Sequence, residues 1–410
     1  MGKPIKPGEE EACLLGTSSL NFPCPPSTPP IVPAAVYACE STTQAESLLG
    51  GQQPGYVYQR DGHPNADWLA EKCRKLHHAD AAIMTASGMA ALSAVLLAHV
   101  QSGEHMVISN QLYGRSTMVF GSEAKRLGIH VTEVDVTDLS AVEAALKSKP
   151  RLLLTETISN PLTRIANLPA LAERAQDHST LLVVDNTFAT PLGCRPLELG
   201  ADLVVESVSK LMNGHGDLML GLIAGKQSAW ERIPQTVAAW GFASSPFDCW
   251  LAERGLATLG LRVPRACENA QTVAEFLMNH PAVDEVIYPG LGQHPDHHLA
   301  QEWLLAERDH PHEVRFGHIL SFHLHGDATT VDQLILATQT LEFCPSLGEV
   351  RTTLSHPAST SHRSMRDAER EKLGIRSGTV RLSLGIESAD WLVEQLRIAL
   401  DSLDLKADQR

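Results

Sequence analysis

Short apolar runs alternate with helix-like segments between residues 63 and 260. The runs are Met106–Ser109, Leu152–Leu154, Leu181–Val184 and Leu203–Val205. Because they are almost wholly apolar, they are typical of strands that helices cover on both faces. Asn65–Glu71 and Gly88–Ala98 have helical patterns, and Asn65 is predicted to cap the first of these helices. The pattern predicts a doubly wound, mainly parallel sheet, whose ligands should gather at the carboxyl ends of the strands.

The last third of the chain has a different pattern. In Leu320–His325 and again in Thr379–Leu384, apolar residues alternate with polar ones. Successive side chains point to opposite faces of a strand, so each strand should have one apolar and one polar face. We therefore predict a smaller α+β domain whose sheet is exposed on one side.

These patterns divide the chain into three parts and place it in the α/β class. Residues 1–62 are rich in Pro, Gly and Ser and are predicted to form an extended arm that contacts a neighbouring subunit. Residues 63–260 are predicted to form the large α/β domain. Residues 261–410 are predicted to form the small C-terminal domain.

Composition and charge narrow the range of partners. The 410 residues include 33 basic and 48 acidic ones, for a formal net charge of −15. This balance argues against nucleic acid and anionic membranes as partners. No apolar stretch approaches membrane-spanning length, and the polar start does not resemble a signal peptide. The eight cysteines are scattered without a Cys-x-x-Cys pair, which favours the reducing cytoplasm.

The most informative segment is residues 204–217, where an apolar run carries Ser207, Ser209 and Lys210 before a glycine-rich turn. On a strand, the two serines would share one face beside the lysine. A lysine held in this way can form an imine with an aldehyde, and the hydroxyls can hold a phosphate. Upstream, Asp185 ends another apolar run. A lysine and a carboxylate are the pair of side chains that pyridoxal phosphate requires. Taken singly, however, Lys210 could be an exposed loop lysine, and Asp185 could be an ordinary strand end.

Further candidates lie where the predicted sheet would place a ligand. Ser87–Gly88 begins a helix, whose free amides form an anion site. Tyr113 follows a strand, and an aromatic ring there can lie on a planar cofactor. Glu156 and Asn160 follow another strand, where they could reach substituents of that ring. Arg381 could clamp a substrate carboxylate with two N–H groups. A helix cap, a solvent-facing tyrosine and a surface salt bridge are the structural alternatives.

Two other chemistries are not favoured. His294–His298 is the densest histidine cluster, but its spacing does not match the helical His-x-x-x-His pattern and a proline interrupts it. No metal site is therefore predicted. The chain has no Gly-x-Gly-x-x-Gly fingerprint, which argues against a nicotinamide cofactor.

Taken in order, these segments resemble the Cys/Met-metabolism family of pyridoxal-phosphate enzymes, nearly from end to end. The matching segments are Tyr58-Gln59-Arg60, Ser87-Gly88-Met89, Tyr113-Gly114, Glu156 with Asn160-Pro161, Asp185-Asn186-Thr187, Ser207-Val208-Ser209-Lys210, Ser346-Leu347-Gly348 and Arg381–Gly385. The family includes cystathionine γ-synthase, cystathionine γ- and β-lyases, methionine γ-lyase and sulfhydrylases. The resemblance implies pyridoxal 5'-phosphate (PLP) as cofactor and fold type I of the PLP-dependent transferases.

The resemblance implies a role for each matched residue. Lys210 is similar to the lysine that binds the cofactor and shuttles the proton. Tyr113 is similar to the residue that stacks on the ring and helps to deprotonate the incoming amino group. Asp185 is similar to the partner of the pyridine nitrogen. Ser346 and Arg381 are similar to the residues that hold the substrate carboxylate.

The resemblance also implies which residues contact the cofactor. The set is Tyr58, Arg60, Ser87, Gly88, Met89, Tyr113, Glu156, Asn160, Asp185, Thr187, Ser207, Ser209 and Lys210. Ser87–Met89, Ser207 and Ser209 resemble the phosphate cup. Tyr58 and Arg60 resemble the arm residues that reach the phosphate in the adjacent subunit. The resemblance therefore implies a catalytic dimer and, usually, a homotetramer.

Three positions depart from the family's pattern. His63 replaces Asn in the Arg-x-x-Asn-Pro motif that begins at Arg60. Pro345 stands where γ-synthases and γ-lyases often carry Glu, and it cannot bind a distal amino group. Arg115 stands where methionine γ-lyases carry Cys. It either favours an anionic substrate arm, such as a succinyl ester, or lies on the surface.

The resemblance implies PLP-dependent elimination or γ-replacement on a sulfur-containing amino acid or an activated homoserine ester. Trans-sulfuration like that of cystathionine γ-synthase or γ-lyase is favoured, because Tyr113-Gly114 continues the γ-type pattern. Methionine γ-lyase and cystathionine β-lyase are alternatives. From other classes, we consider a fold-type-I aminotransferase and a non-catalytic relative. The intact set of Lys210, Asp185, Tyr113 and Arg381 argues against the latter.

Overall fold

The first half of the fold is built on a seven-stranded sheet. The computed structural model describes Cys24, residues 26–305 and residues 315–403. The strands are β1 (Ala81–Thr85), β2 (His105–Ser109), β3 (His130–Val134), β4 (Leu152–Glu156), β5 (Leu181–Asp185), β6 (Leu203–Glu206) and β7 (Gly221–Gly225). Their order is β1-β7-β6-β5-β4-β2-β3, and only β7 runs antiparallel to its neighbours. The predicted mainly parallel sheet is confirmed.

Helices cover both faces of this sheet. The helices of this half are α1 (Thr42–Leu49), which belongs to the arm, and α2 (Pro64–Leu76), α3 (Gly88–His99), α4 (Gly114–Thr117), α5 (Ala124–Arg126), α6 (Leu139–Leu146), α7 (Leu168–Asp177), α8 (Thr190–Gly193), α9 (Ile233–Ala239) and α10 (Pro246–Leu256). A π-helical turn, Met118–Glu123, joins α4 to α5. On β4, Leu153 packs into one apolar core, and Leu152 and Leu154 pack into the other. The alternation of strand side chains thus explains why the strands are apolar throughout.

The second half contains a five-stranded sheet. Its strands are β8 (Val283–Ile287), β9 (Ile319–Leu324), β10 (Glu342–Phe343), β11 (Thr353–Ser355) and β12 (Thr379–Ser383), in the order β10-β11-β12-β9-β8. Its helices are α11 (Leu259–Met278), α12 (His297–Trp303), α13 (Ala328–Ala337), α14 (Asp367–Lys372) and α15 (Ala389–Asp401). Leu320, Phe322 and Leu382 pack with these helices in a separate core. The domain limits 63–260 and 261–410 stay predictions.

The polar face of the strands β9 and β12 is not exposed, contrary to the prediction. Every residue of β9 and β12 is buried. Ser321 donates a hydrogen bond to the carbonyl of Pro161 at 2.7 Å, and Arg381 donates to Asn160 at 3.0 Å. The alternation correctly separates two chemically different faces. The alternation does not show that the loop after β4 covers the polar face.

The predicted cap of α2 was also misplaced. His63, not Asn65, is the N-cap residue, and its Nδ1 accepts a hydrogen bond from the backbone N–H of Ala66 at 3.2 Å. Pro64 occupies the first helical position, where its fixed φ and missing N–H are favourable, so the cap is the residue before it. The Asn65 side chain is buried and bonds instead to the backbone of Val32 and Pro30.

The described part of the arm lies on the surface. It contains the helix α1, in which no residue is buried, so it is not extended throughout as predicted. Trp250 anchors the start of the described part of the arm through a 2.8 Å hydrogen bond from its Nε1 to the carbonyl of Pro29. Residues 1–23 and 25 of the predicted arm lie outside the described residues. Within the described part of the chain, no helix is both long enough and apolar enough to span a membrane.

Buried histidines should make the fold sensitive to acid. Burial lowers the pKa of His318 to about 3, with a further contribution from the charge of Arg381, and burial likewise lowers the pKa of His77 to about 3. The unfolded chain binds these protons near pH ~6.5, but the folded chain does not. The free energy of unfolding should therefore fall as the pH drops from about 6.5 toward 3.

We expect the thermal midpoint to decline through this range, and to decline less steeply for His318→Gln. The matched control is His298→Gln, because His298 is exposed. Midpoints measured at a series of pH values for the three proteins test this. Equal slopes for the wild type and His318→Gln would contradict the linkage.

Candidate active site

Five strands of the large sheet end at one cavity. Its volume is about 640 Å³. The lining residues are Ser87, Gly88, Met89, Leu92, Tyr113, Arg115, Ser116, Glu156, Ile158, Asn160, Asp185, Thr187, Phe188, Ser207, Ser209, Lys210, Leu218, Met219, Pro345, Leu347, Ser359, Thr360, Ser361, Arg363 and Arg381. Lining residues follow β1, β2 and β6 and include the last residues of β4 and β5. The carboxyl ends of the strands are where a doubly wound sheet binds its ligands.

Lys210 lies in a turn just past β6. The strand ends at Glu206, so Ser207 and Ser209 do not alternate on a strand as predicted. The backbone N–H of Lys210 donates to the carbonyl of Ser207 at 3.0 Å, which closes the turn. The turn still brings both serines and the lysine to the cavity. The Ser209 hydroxyl, however, bonds to the backbone of Leu220.

The ammonium group of Lys210 has a defined environment. Its Nζ donates a hydrogen bond to the Ser346 hydroxyl at 3.0 Å. Burial lowers the pKa of Lys210, and the charge of Arg381 lowers it further. A lysine with a lowered pKa is more often neutral near pH 7 and can act as a nucleophile or base.

Asp185, at the end of β5, is held by the next turn. Thr187 donates two hydrogen bonds to one carboxylate oxygen, from its N–H at 3.0 Å and from its hydroxyl at 2.5 Å. The same hydroxyl accepts a bond from the N–H of Ser207 at 2.9 Å. Burial raises the pKa of Asp185, and the bonds from Thr187 oppose that effect. A cationic partner in the cavity would favour the ionised carboxylate.

Glu156, at the end of β4, connects two loops. One carboxylate oxygen accepts from the N–H of Tyr113 at 2.6 Å, and the other accepts from the N–H of Asn160 at 3.2 Å. Glu156 is directly opposite Asp185 in the sheet. Burial and the neighbouring Asp185 raise the pKa of Glu156. This carboxyl group therefore fixes Tyr113 and Asn160 at the cavity.

The amino end of α3 opens into the cavity. Ser87 caps this helix of 12 residues, and its hydroxyl accepts from the N–H of Ala90 at 3.0 Å. Gly88 packs so closely on Ser207 that an added Cβ would lie 2.8 Å from the Ser207 Cβ. A helix terminus with free amides and no side chain at Gly88 is a cradle for an anion such as phosphate.

Gly88→Ala should weaken binding of the cofactor. The added Cβ should push the helix terminus and Ser207 apart. If this displacement removes about 1–3 kcal/mol of the interaction with the phosphate, the size of a typical overpacking cost, binding becomes about 5- to 150-fold weaker. Titration of the apoprotein with pyridoxal phosphate measures the effect. Gly292→Ala is the matched control, because an added Cβ there meets nothing within 4 Å. Unchanged affinity in Gly88→Ala would show that the cradle does not hold the phosphate.

Tyr113 presents its ring to the cavity and remains 39% exposed. The next residue, Gly114, lies against the carbonyl of Ser361, and a Cβ at Gly114 would overlap that oxygen. This contact joins the segment after β2 to the loop 359–363. Arg115 follows and lines the cavity with its side chain exposed.

Arg381, on β12, forms the buried side of the cavity. Its Nη1 donates to Asn160 Oδ1 at 3.0 Å, and its Nη2 donates to the carbonyl of Ser346 at 2.9 Å. Its buried Nε has no hydrogen-bond partner. Burial lowers the pKa of Arg381 to about 10, so it is a cation at neutral pH. A buried cation with unused donors can bind a carboxylate.

The structure does not bring every candidate to the cavity. Tyr58 and Arg60 lie outside its lining, and the Arg60 guanidinium stacks on the Tyr58 ring at 5.1 Å. Ser346 is not a lining residue but bonds to two that are. Sequence reasoning missed the loop 359–363, which has no periodicity or motif to reveal it. It also missed Phe188, although Phe188 directly follows the Asp185-Asn186-Thr187 segment.

The residues around this cavity fit pyridoxal phosphate. Lys210 supplies an amine for the aldehyde, Asp185 a carboxylate for the ring nitrogen, and Tyr113 an exposed ring. At the amino end of α3, Gly88 packs directly against Ser207, so the free amides of the helix terminus and the Ser207 segment lie together where a phosphate could bind.

Comparisons with known proteins give the same result. The model of the family described as Cys/Met metabolism PLP-dependent enzyme matches residues 22–401. L-methionine gamma-lyase of Porphyromonas gingivalis is 35% identical over 91% of this chain and 92% of its own length. O-succinylhomoserine sulfhydrylase of Pseudomonas aeruginosa is 34% identical over 90% of this chain and 89% of its own.

A solved structure also matches nearly the whole chain. The cystathionine gamma synthase from Xanthomonas oryzae pv. oryzae, in complex with aminoacrylate and cysteine, superposes with a TM-score of 0.90 at 34% identity. The match covers 97% of this chain and 98% of that one. Relatives with three different reactions are thus similar to this chain to nearly the same degree.

Proposed function

The chain belongs to the Cys/Met-metabolism family of PLP-dependent enzymes, and we propose that it catalyses elimination or replacement at the γ carbon of an amino acid with a sulfur or ester leaving group. The observation that carries this proposal is the convergence of Lys210, Asp185 and Arg381 on one cavity. Lys210 would serve as the base, Asp185 as the partner of the cofactor's ring nitrogen, and Arg381 as the group that binds the substrate carboxylate.

The cofactor is proposed to be held at several points of the cavity. Bound pyridoxal phosphate supplies an electron sink for negative charge on the carbon that bears the amino group. Asp185 is proposed to bind its ring nitrogen and Tyr113 to stack on its ring. Met89, Ser207, Ser209 and the amino end of α3 are proposed to bind its phosphate. Glu156, Asn160 and Thr187 support these contacts through the hydrogen bonds described above.

Lys210 is proposed to move the protons. Its lowered pKa increases the fraction that is neutral near pH 7, so its Nζ can accept a proton from the substrate's α carbon and later return it. The Ser346 hydroxyl accepts a bond from Nζ and so limits the positions of that atom. Tyr113 is proposed to help to deprotonate the incoming amino group. Loss of a second proton, from the β carbon, would then let the γ-substituent leave with the electron pair of its bond. Replacement additionally requires an incoming thiol that adds at the γ carbon.

Arg381 and Ser346 are proposed to orient the substrate by its carboxylate. Both are linked by the bond from Arg381 to the Ser346 carbonyl. Arg381 is already fixed by Asn160 and Ser346, so little side-chain entropy is lost when a carboxylate binds. Binding at this buried end leaves the other end of the substrate to extend toward the open side of the cavity.

The arm is proposed to complete the site of a neighbouring subunit in a homotetramer of catalytic dimers. Tyr58 is 43% exposed, and Arg60 contacts it outside the chain's own cavity. The exposed apolar residues Trp240, Phe247 and Leu261 offer surface for association.

We propose to divide the chain into the arm 1–62, the PLP-binding domain 63–260 and the C-terminal domain 261–410. A cytoplasmic location is proposed from the scattered cysteines.

The test is to incubate the purified holoenzyme separately with L-methionine, L-cystathionine, O-succinyl-L-homoserine and O-acetyl-L-homoserine, with and without L-cysteine. We expect 2-oxobutanoate and ammonia from γ-elimination, or a thioether when cysteine is present. Pyruvate from cystathionine would indicate β-elimination instead. Amino transfer to a keto acid without loss of the side-chain group would indicate an aminotransferase. No product from any substrate would reject the proposal.

A further inference from the structure

The cavity has cations at both ends. At its buried end, Arg381 is 3% exposed. At its open side, Arg115 and Arg363 line the cavity with exposed side chains. We call Arg115 and Arg363 the rim pair. The two arginines lie on separate segments that the close approach of Gly114 to the Ser361 carbonyl brings together.

The rim pair is not engaged with acidic side chains. Arg115 contacts the Met118 sulfur at 3.9 Å, and Arg363 donates to the carbonyl of Thr360 at 3.3 Å. Among the residues that the structure describes, neither guanidinium forms an ion pair with a carboxylate. Most of their N–H donors are therefore open to a ligand.

The loop that carries Arg363 is fixed by its own hydrogen bonds. The Thr360 hydroxyl donates to the carbonyl of His356 at 2.7 Å, and the N–H of His362 donates to the carbonyl of Pro357 at 2.9 Å. The ring of His356 in turn contacts the carbonyl of Ser377 at 2.9 Å. The backbone on which Arg363 sits is therefore held beside the cavity rather than free to leave it.

The acids of the cavity lie at the strand ends. Glu156 and Asp185 are the carboxylates of the lining, and both are tied to the strand ends by backbone N–H groups. Pro345, Leu218 and Met219, which also line the cavity, offer no acidic side chain. Among the described residues that line the cavity, the open side can thus attract an anion and has no carboxylate to pair with an ammonium group.

We propose that Arg115 and Arg363 bind a carboxylate at the far end of the substrate side chain. The preferred substrate class is then an amino acid whose γ-substituent ends in a carboxylate, as in a dicarboxylic acyl ester of homoserine. This inference rests on the proposed function and specifies its substrate. Arg381 holds the substrate's α-carboxylate, and the rim pair selects the leaving group.

The test compares O-succinyl- with O-acetyl-L-homoserine, which share the ester but differ in the distal carboxylate. We expect the ratio of their kcat/KM values to fall about fivefold in Arg115→Gln and in Arg363→Gln, and further in the double variant, as for partly exposed charge pairs. The value for the acetyl ester should fall less than the value for the succinyl ester in each of these variants. Arg115→Lys and Arg363→Lys should restore part of the ratio. Arg397→Gln, an exposed arginine of α15 paired with Glu394, is the matched control.

Failure of this inference is separable from failure of the proposed function. An unchanged ratio in the double variant would overturn the rim pair while leaving γ-chemistry intact. If the holoenzyme consumes neither ester, calorimetric binding of L-2-aminononanedioate, whose chain matches the length of the succinyl ester, is compared with that of L-2-aminononanoate, which lacks the distal carboxylate. Tighter binding of the aminononanedioate that is lost in the double variant supports the rim pair. Equal affinities overturn it.

Discussion

Lys210→Ala is expected to abolish turnover, with kcat lowered by at least about 10³-fold, because the variant loses both the nucleophilic amine and the base. The structure gives this amine a lowered pKa, through burial and Arg381, and a 3.0 Å bond to Ser346. Steady-state kinetics with the preferred substrate measure the loss. The visible absorbance of the lysine-bound cofactor should disappear as well.

Two further variants separate chemistry from folding. Lys210→Arg keeps the positive charge, but a guanidinium stays protonated, so it should be as inactive as the alanine variant. Lys125→Ala removes an exposed lysine of α5 and should keep full activity. All three proteins should retain the wild-type thermal midpoint to within a few degrees. Substantial turnover by Lys210→Arg would rule out Lys210 as the proton carrier.

Asp185→Asn is expected to lower kcat by about 10²–10³-fold, the usual effect of removing a preorganised electrostatic group from an active site. Asparagine has the same shape, but it carries no negative charge to keep a ring nitrogen protonated. The effect should fall on kcat more than on KM, because Asp185 lies at the end of β5, whereas substrate binding is proposed for Arg381. Kinetics at saturating pyridoxal phosphate separate this loss from weaker cofactor binding.

Thr187→Val tests the same role of Asp185 by removing a side chain that holds the Asp185 carboxylate in place. It removes the hydroxyl that donates to Asp185 at 2.5 Å and accepts from Ser207 at 2.9 Å. A hydrogen bond to a charged group contributes about 1.5–3 kcal/mol, so a loss of about tenfold in kcat is expected. Asp332→Asn, on the exposed side of α13, is the control. A kcat in Asp185→Asn equal to the wild type would show that the carboxylate does not act on the ring.

Much of the site could be predicted because it follows strand ends. Asp185 and Glu156 are the last residues of β5 and β4, and adjacent parallel strands place their carboxyl ends at one edge. Apolar runs reveal such strands, so residues just beyond them are good candidates. The roles assigned to these residues rest on their chemistry and on the resemblance to a family, and they stay predictions until the variants are measured.

Other parts of the site could not be predicted. The loop 359–363 reaches the cavity only because Gly114 packs on Ser361, a contact between residues far apart in the chain. Arg115 was an open question between substrate binding and the surface. The structure places it at the cavity with an exposed side chain, and it places Arg363, which the sequence did not single out, at the same cavity.

The sequence by itself determined the class of the fold and the chemistry that it can perform. Apolar runs specify buried strands because hydrophobic burial depends on local pattern. Tertiary structure alone decided what covers each surface and which distant segments meet. The polar face of β9 and β12 was predicted to face water, yet it packs against Asn160 and Pro161. An alternating pattern records that a face is polar, but water and a polar protein surface satisfy such a face equally well, so only the packed chain distinguishes them.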